Sequence, residues 1–451
     1  MLIDQYGHLD LNELLLPLAE LDLFPSAEER VEWAGASDAL SPQWVAQAEQ
    51  YLSFTWPALT VERYLNYNRK GDNLSFLFPF FERRSVLGAF VLAECIEGKG
   101  RFLDQILNGI FCICEETTWM TPFDLANFKE VVPSPTDRIV DLSCSETGAL
   151  LAWVHNLLKK QLDAISPRVC ARIETEISQR LMEPYMEHDD YWWMGFVETP
   201  VVNNWNPWCN SNMLVCFLLL ESNSEARCAA ILKIMRSLDV FIRKYPPDGC
   251  CQEGPMYWGA AGGGLHTCLW LLKEASAGEI DIFSEPVVQL IGQYIYKVHI
   301  HDDYFVDFAD GDARVAIGMQ AYNYGLSIGD QRLVQLGANV EKTIPRKLNW
   351  FNMYNCLQDL FIECESTEFK APYIREAWME HSQVMTARES EGSEQGLYLA
   401  AKGGTNNEPH NHNDVGNFIV YADGLPVFID LGTEEYTAKT FSAERYEIWY
   451  L

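Results

Sequence analysis

The chain has 451 residues, enough for two or three domains and a large core. Hydrophobic residues make up 48% and charged residues 22%, an ordinary soluble globular balance. With 33 basic and 64 acidic residues the formal charge is −31, a surface that repels nucleic acid and anionic membranes and leaves a polyanionic substrate only a local basic or metal-lined cleft.

Met1-Leu2-Ile3-Asp4-Gln5 has neither the basic n-region nor the apolar h-region of a signal peptide. No run approaches the ~18–20 apolar residues of a membrane helix. The 13 cysteines are odd in number and scattered, with Cys250 and Cys251 adjacent. They read as buried thiols of a reduced, cytoplasmic protein rather than as a disulfide framework. Aromatics reach 13%, and most of them are expected in helical cores rather than on sugar-stacking surfaces.

To about residue 365 the pattern is helical. Leu11-Leu14-Leu15-Leu18 and Trp44-Ala48-Tyr51-Leu52 repeat at helical spacing, and Phe76 to Ile96 reads as one long buried helix. Leu103-Ile106-Leu107-Ile110 comes next, then Leu150 to Leu162 and Val169 to Leu181, a pair joined by the helix stop and start at Ser166-Pro167. Met213-Phe217-Leu220, Ala229 to Ile242, Leu265-Leu269-Leu272, Val288-Ile291-Ile295 and Ile317-Ala321-Tyr324 continue the series. Helical hairpins without βαβ alternation and without a short repeat predict a closed α/α toroid, with loops converging on a cleft at one end. After about residue 380, Gln383 to Arg388, Gly396 to Lys402 and the hairpin Gly416–Asp430 read as antiparallel strands. The prediction is an α+β multidomain chain: a toroid over 1–370, then the start of a β-sandwich over 380–451. The apolar run Arg445 to Leu451 has no closing turn, so the sheet is expected to be cut short there.

Three stretches carry candidate chemistry. Val202 to Asn212 holds Asn203, Asn204, Trp205 and Trp208 and reads as a loop, since Asn favours turns and caps, with Ser211 or Asn212 capping the next helix. Pro246 to Gly259 is turn-rich and places Tyr257 at the start of a helix. In Pro409-His410-Asn411-His412-Asn413-Asp414 the two histidines share a side if the backbone is extended. His412 and Asp430 have the chemistry of zinc ligands, although a polar loop beside a hairpin fits the spacing too.

In this order, the Asn-rich segment, Gly-Pro-x-Tyr at Gly254–Tyr257, His-x-His-x-Asp at 410–414 and Asp430-x-Gly432 resemble the heparinase II/III-like polysaccharide lyases, over residues 190–451. The resemblance implies an α/α toroid followed by a β-sandwich, and β-elimination beside a uronic acid in an acidic polysaccharide or oligosaccharide of glycosaminoglycan or alginate type. It implies Asn204 and His410 as groups neutralising the uronate carboxylate and Tyr257 as proton donor and base. It also implies His412 and Asp430 as ligands of a structural Zn²⁺ or other divalent cation, with a third ligand beyond Leu451. Asn203, Trp205, Trp208, Glu253 and Arg314 complete the candidate substrate-binding set, Arg314 having a structural ion pair as its alternative. Some relatives carry a second base, a histidine, where this chain has Trp205. Either Tyr257 makes both proton transfers or another base serves, with His266, His299 and His301 left by exclusion. Two rivals remain: a glycoside hydrolase using two carboxylates among Asp248, Glu253 and Asp310, and a non-catalytic sugar-binding protein.

Overall fold

The structure is a computed structural model that describes residues 1–38, 40–127, 129–198, 201–343, 352–362, 370–406, 408, 412 and 415–432. Helices dominate to Phe361. Leu74–Glu97, Leu142–Ile165, Trp205–Leu220 and Pro255–Ala275 are apolar on nearly every side and form an inner layer, as helices enclosed by other helices must be. Leu103–Cys114, Pro167–Ile177 and Ser224–Lys244 pack outside them, each against the inner helix that precedes it, with apolar residues on one stripe. This is the α/α toroid that the helical pairing predicts.

The aromatic surplus is spent largely inside: Trp44, Trp119, Trp153, Trp193 and Trp258 are all fully buried. Helix boundaries obey local chemistry. Asp141 accepts from the Cys144 amide at 2.7 Å, Ser166 accepts from Arg168 ahead of Pro167, and Asn223 accepts from Ala226 at 3.0 Å, each satisfying a donor that a first turn leaves open. Among the described residues no helix is long and apolar enough to cross a membrane.

The Asn-rich segment departs from its reading as a loop. The helix begins at Trp205, so Asn206, Asn210, Ser211 and Asn212 lie inside it rather than capping it. Pro207 is tolerated because the first turn needs no amide donor. Asn206 and Asn210 both donate to Ser237 Oγ at 2.9 Å, and Asn210 accepts from the Tyr185 hydroxyl at 3.0 Å. These buried bonds to neighbouring elements outweigh the local preference of Asn for turns.

A short ribbon, His299–His301 with Tyr304–Phe305, interrupts the helical region and was not legible in its periodicity. The second region is a five-stranded antiparallel meander of Glu376–Met379, Val384–Arg388, Leu397–Lys402, Phe418–Ala422 and Leu425–Phe428. The last two strands turn at Asp423-Gly424, both with positive φ, the geometry a two-residue hairpin favours. Tyr398, Ala400, Ile419 and Tyr421 face inward, while Trp378, Leu397 and Phe418 face out, with the period of two that a one-sided sheet requires.

Polar bonds dock the sheet on the toroid. Arg388 donates to the carbonyls of His299 (2.8 Å) and Ile300, and Thr386 donates to that of Lys297 at 2.8 Å. Asp248 accepts from the Ser382 amide at 2.8 Å, and the buried pair Lys402–Glu408, 3.1 Å apart, lies beside Cys250 and Gly254. The sheet thereby backs the segment that leads to Tyr257. The strand read at Arg445 to Leu451 lies outside the described residues.

Candidate active site

Three inner helices start at the same end of the toroid. Asn204, at the head of Trp205–Leu220, bonds to Glu253, just ahead of Pro255–Ala275; Trp208, one turn into the same helix, bonds to Glu146 in the second turn of Leu142–Ile165. Each N-terminus carries a partial positive charge of roughly half an electron. Their convergence supplies local positive potential within a chain of net charge −31.

Asn204 and Glu253 form the tightest polar unit there, with exposures of 2% and 5%. The Asn204 amide nitrogen donates to Glu253 Oε1 at 3.2 Å, and Asn204 Nδ2 donates to Oε2. An amide has two Nδ2 protons, so this bond fixes which end of the Asn204 side chain is nitrogen and leaves the second proton to point elsewhere. Asn203 accepts from the Trp205 amide at 3.1 Å, closing the turn into the helix.

The backbone immediately after Glu253 fixes its position. Gly254 has φ of +92°, and a Cβ at that position would come within 2.6 Å of the Phe308 carbonyl oxygen. No other residue fits that close approach without displacing the Phe308 segment. Pro255 then occupies the first helical position, and Tyr257 lies in the first turn, half-buried. The sequence thus places Tyr257 correctly at a helix start, four residues beyond the carboxylate that holds Asn204.

Trp205 and Trp208 are both half-buried. The Trp205 ring lies 5.2 Å from that of Trp192, which is exposed. Trp208 Nε1 donates to Glu146 Oε1 at 2.6 Å. Burial pushes the Glu146 carboxyl up to about 8, against the lowering effect of the Trp208 bond and of Arg84. Sequence reasoning misses Glu146. No local pattern marks a carboxylate whose partner lies 62 residues away.

The Phe308–Arg314 segment contributes Asp310, buried and 2.7 Å from His412 Nε2. Asp430 accepts from the Gly432 amide at 2.8 Å and from Asn417 Nδ2. A Cβ on Gly432 would lie 3.4 Å from the Gly311 carbonyl oxygen, so the Asp430 turn and the Asp310 turn are neighbours. Among the described residues no three His, Cys, Asp or Glu converge as a metal ion requires. Arg314 is exposed; its guanidinium meets Asp303 at 2.8 Å and lies over the Tyr304 ring. It is engaged in an ion pair, the alternative to substrate binding.

His410 lies outside the described residues. Of the histidines left by exclusion, His266 is buried between the Phe283 and Tyr324 rings and bonds to Ser327, and His299 is buried against Phe305 and Tyr373. Desolvation lowers both imidazoles to about 3, so both are neutral and neither is open to a substrate. His301 is held between Asp302 and Glu394, each 3.0 Å away, at the junction with the sheet. The three carboxylates of the hydrolase reading are likewise engaged: Asp248 with Ser382, Glu253 with Asn204 and Asp310 with His412.

No sequence-family model matches this chain, and no curated protein sequence does. Solved structures do match. Heparinase III aligns with a TM-score of 0.55 at 11% identity over 92% of this chain, and a mutant of heparan sulfate lyase HepC from Pedobacter heparinus with 0.52 at 14% over 91%. A further Heparinase III structure aligns with 0.50 at 11% over 97%. This chain spans 66%, 63% and 61% of those three chains, in that order. At such identities the likeness is one of architecture: this chain has the helical toroid and following antiparallel β-region of the heparinase III fold.

Proposed function

We propose that the chain is a polysaccharide lyase that cleaves uronate-containing glycans of the glycosaminoglycan class by β-elimination. The observation that carries this reading is the Asn204–Glu253 bond at the convergence of three helix N-termini, with Tyr257 in the first turn of the third. The names of the similar structures, heparinase III and a heparan sulfate lyase, support the same class.

The C5 proton of a uronate is acidified by the neighbouring carboxylate only if the second negative charge that develops there is met by donors. The remaining Nδ2 proton of Asn204 and the helix N-termini are fixed dipoles suited to that task, needing no reorganisation as charge builds. In the proposed step the Tyr257 phenolate takes the C5 proton. The C4–O bond breaks with its electrons leaving on oxygen, a C4=C5 double bond forms, and Tyr257 returns the proton to the leaving oxygen. One group serves as base and acid, which fits Trp205 standing where some relatives carry a histidine. A free tyrosine ionises near pH ~10, so the positive end of the helix is also needed to favour the phenolate. His410 joins the carboxylate-neutralising group on the strength of the resemblance alone.

The test is a screen of purified protein against heparan, chondroitin, hyaluronan and alginate chains for the ultraviolet absorbance of the conjugated uronate. Absorbance that rises with new chain ends supports elimination. New reducing ends without absorbance assign a hydrolase, and binding without either assigns a sugar-binding protein.

A further inference from the structure

The connection between the third and fourth strands of the meander carries the histidine motif, and two buried contacts anchor it. Ahead of the motif, Lys402 meets Glu408 at 3.1 Å, with side chains only 4% and 5% exposed. Within it, His412 Nε2 meets the buried Asp310 at 2.7 Å. Both anchors reach the backbone that leads to Tyr257. Lys402 and Glu408 line one cavity with Cys250, Gly254, Phe308 and Ser382. Asp310 follows two residues after Phe308, whose carbonyl oxygen makes the close approach to Gly254. The sheet needs neither anchor to close. The Lys402 amide donates to the Asn417 carbonyl at 3.0 Å, the Gly416 amide to the Lys402 carbonyl at 2.8 Å, and the Gly403 amide to the Gln383 carbonyl at 2.7 Å. The Lys402 backbone is therefore pinned by the sheet, and its side chain alone crosses to Glu408.

We infer that Lys402 and Glu408 are positioning residues for the candidate active site: their ion pair sets the register between the connection that carries His410 and His412 and the helix head that carries Tyr257. The inference rests on the lyase reading for the reaction that this register serves. A buried ion pair is a costly way to hold two segments together, because desolvation consumes much of the attraction, and apolar side chains of similar size hold them about as firmly. What the pair adds is direction. An ammonium and a carboxylate bond in one arrangement, whereas apolar surfaces slide past one another. Both side chains are buried, so they act through the segments they hold and not on substrate. Catalytic groups tolerate little displacement, and a shift of about 1 Å costs on the order of 10²-fold in rate.

The double variant Lys402→Met with Glu408→Leu tests this by replacing the pair with apolar groups. Expected is a urea midpoint equal to or above that of the unsubstituted protein. Ultraviolet initial rates are expected to show kcat lower by about tenfold to hundredfold, with KM within about threefold. Amide hydrogen exchange in the peptide around Gly254 is expected to run about tenfold faster. A merely structural pair moves the midpoint and leaves kcat and that exchange in place. If the double variant does not fold, Glu408→Gln is set against Glu408→Ala. Gln keeps an acceptor for the ammonium and holds kcat and exchange within about threefold, and Ala does not. Unchanged kcat and exchange in a folded double variant, or equal losses in the two single variants, overturn the inference. If the unsubstituted protein generates no absorbance from any chain, the lyase reading alone falls, and the exchange rates decide whether the pair sets the register.

Discussion

Asn204 donates twice to Glu253, from its backbone to one carboxylate oxygen and from its side chain to the other. The pair joins the heads of two inner helices and sets the amide orientation that the proposed reaction uses. Glu253→Gln leaves one acceptor oxygen for two donors and brings an NH₂ against one of them. The expected result is a tenfold to hundredfold fall in kcat, with stability lowered by about 1–3 kcal/mol for the buried donor left open. Initial rates by ultraviolet absorbance, together with urea unfolding, check both. A variant with full kcat and the same stability loss reduces Glu253 to a structural role.

Tyr257→Phe removes the group proposed to move both protons. General acid–base catalysis is worth typically about 10²–10⁴-fold. The expected outcome is a loss of at least about 10²-fold in unsaturated product. The ring of Tyr257 is only half-buried, so the thermal midpoint is expected to stay within a few degrees. Retained turnover removes Tyr257 from the mechanism.

Much of this architecture is legible in the sequence because it is written locally. Apolar spacing marks the inner helices, Ser166-Pro167 marks a helix junction, and Asp423-Gly424 marks the last hairpin. The order of Asn204, Gly254-Pro255-x-Tyr257 and His412 points to the fold that the solved structures share. What escapes is whatever a distant element supplies. Asn206 and Asn210 look like loop residues until Ser237 on the neighbouring helix takes their protons. Glu146 looks like one acidic residue among 64 until Trp208 is placed above it. The partner of His412 Nε2 is Asp310, 102 positions earlier, and no local pattern links the two.

Glu146 gives the folded protein a pH signature. Burial raises its carboxyl from an ordinary 4.5 to about 8, so between those values the folded chain holds a proton that the unfolded chain releases. Stability from this group is complete below about pH 4.5 and is lost as pH rises through about 8, by an amount on the order of a few kcal/mol. Glu146→Gln keeps the shape and removes the titration. The stability of the variant relative to the unsubstituted protein is therefore expected to climb from about pH 5 to 8 and level off above. Urea midpoints measured across that range check the slope, and a flat difference between the two proteins assigns the carboxyl an ordinary acidity.

Glu116, in the loop after Leu103–Cys114, is the hub of a buried ion cluster that ties this loop to the helices Leu74–Glu97 and Leu142–Ile165. Its Oε1 accepts from Arg83 at 2.8 Å and its Oε2 from Arg84 at 2.8 Å, and Arg84 also donates to Thr147 at the base of the candidate site. Arg83, Arg84 and Glu116 are all buried. Removing the shared carboxylate leaves two guanidinium groups in a medium that solvates them poorly, whereas removing one arginine leaves a paired carboxylate. Glu116→Ala is thus expected to cost about 3–5 kcal/mol, more than Arg83→Met, even though each deletes a member of one network. The double variant Arg84→Met with Glu116→Leu leaves one buried guanidinium, Arg83, without its carboxylate instead of two, and it is expected to be less destabilised than Glu116→Ala alone. Chemical unfolding of the three variants separates these orders. Equal losses for Glu116→Ala and Arg83→Met show that water reaches the cluster and that its bonds are not desolvated.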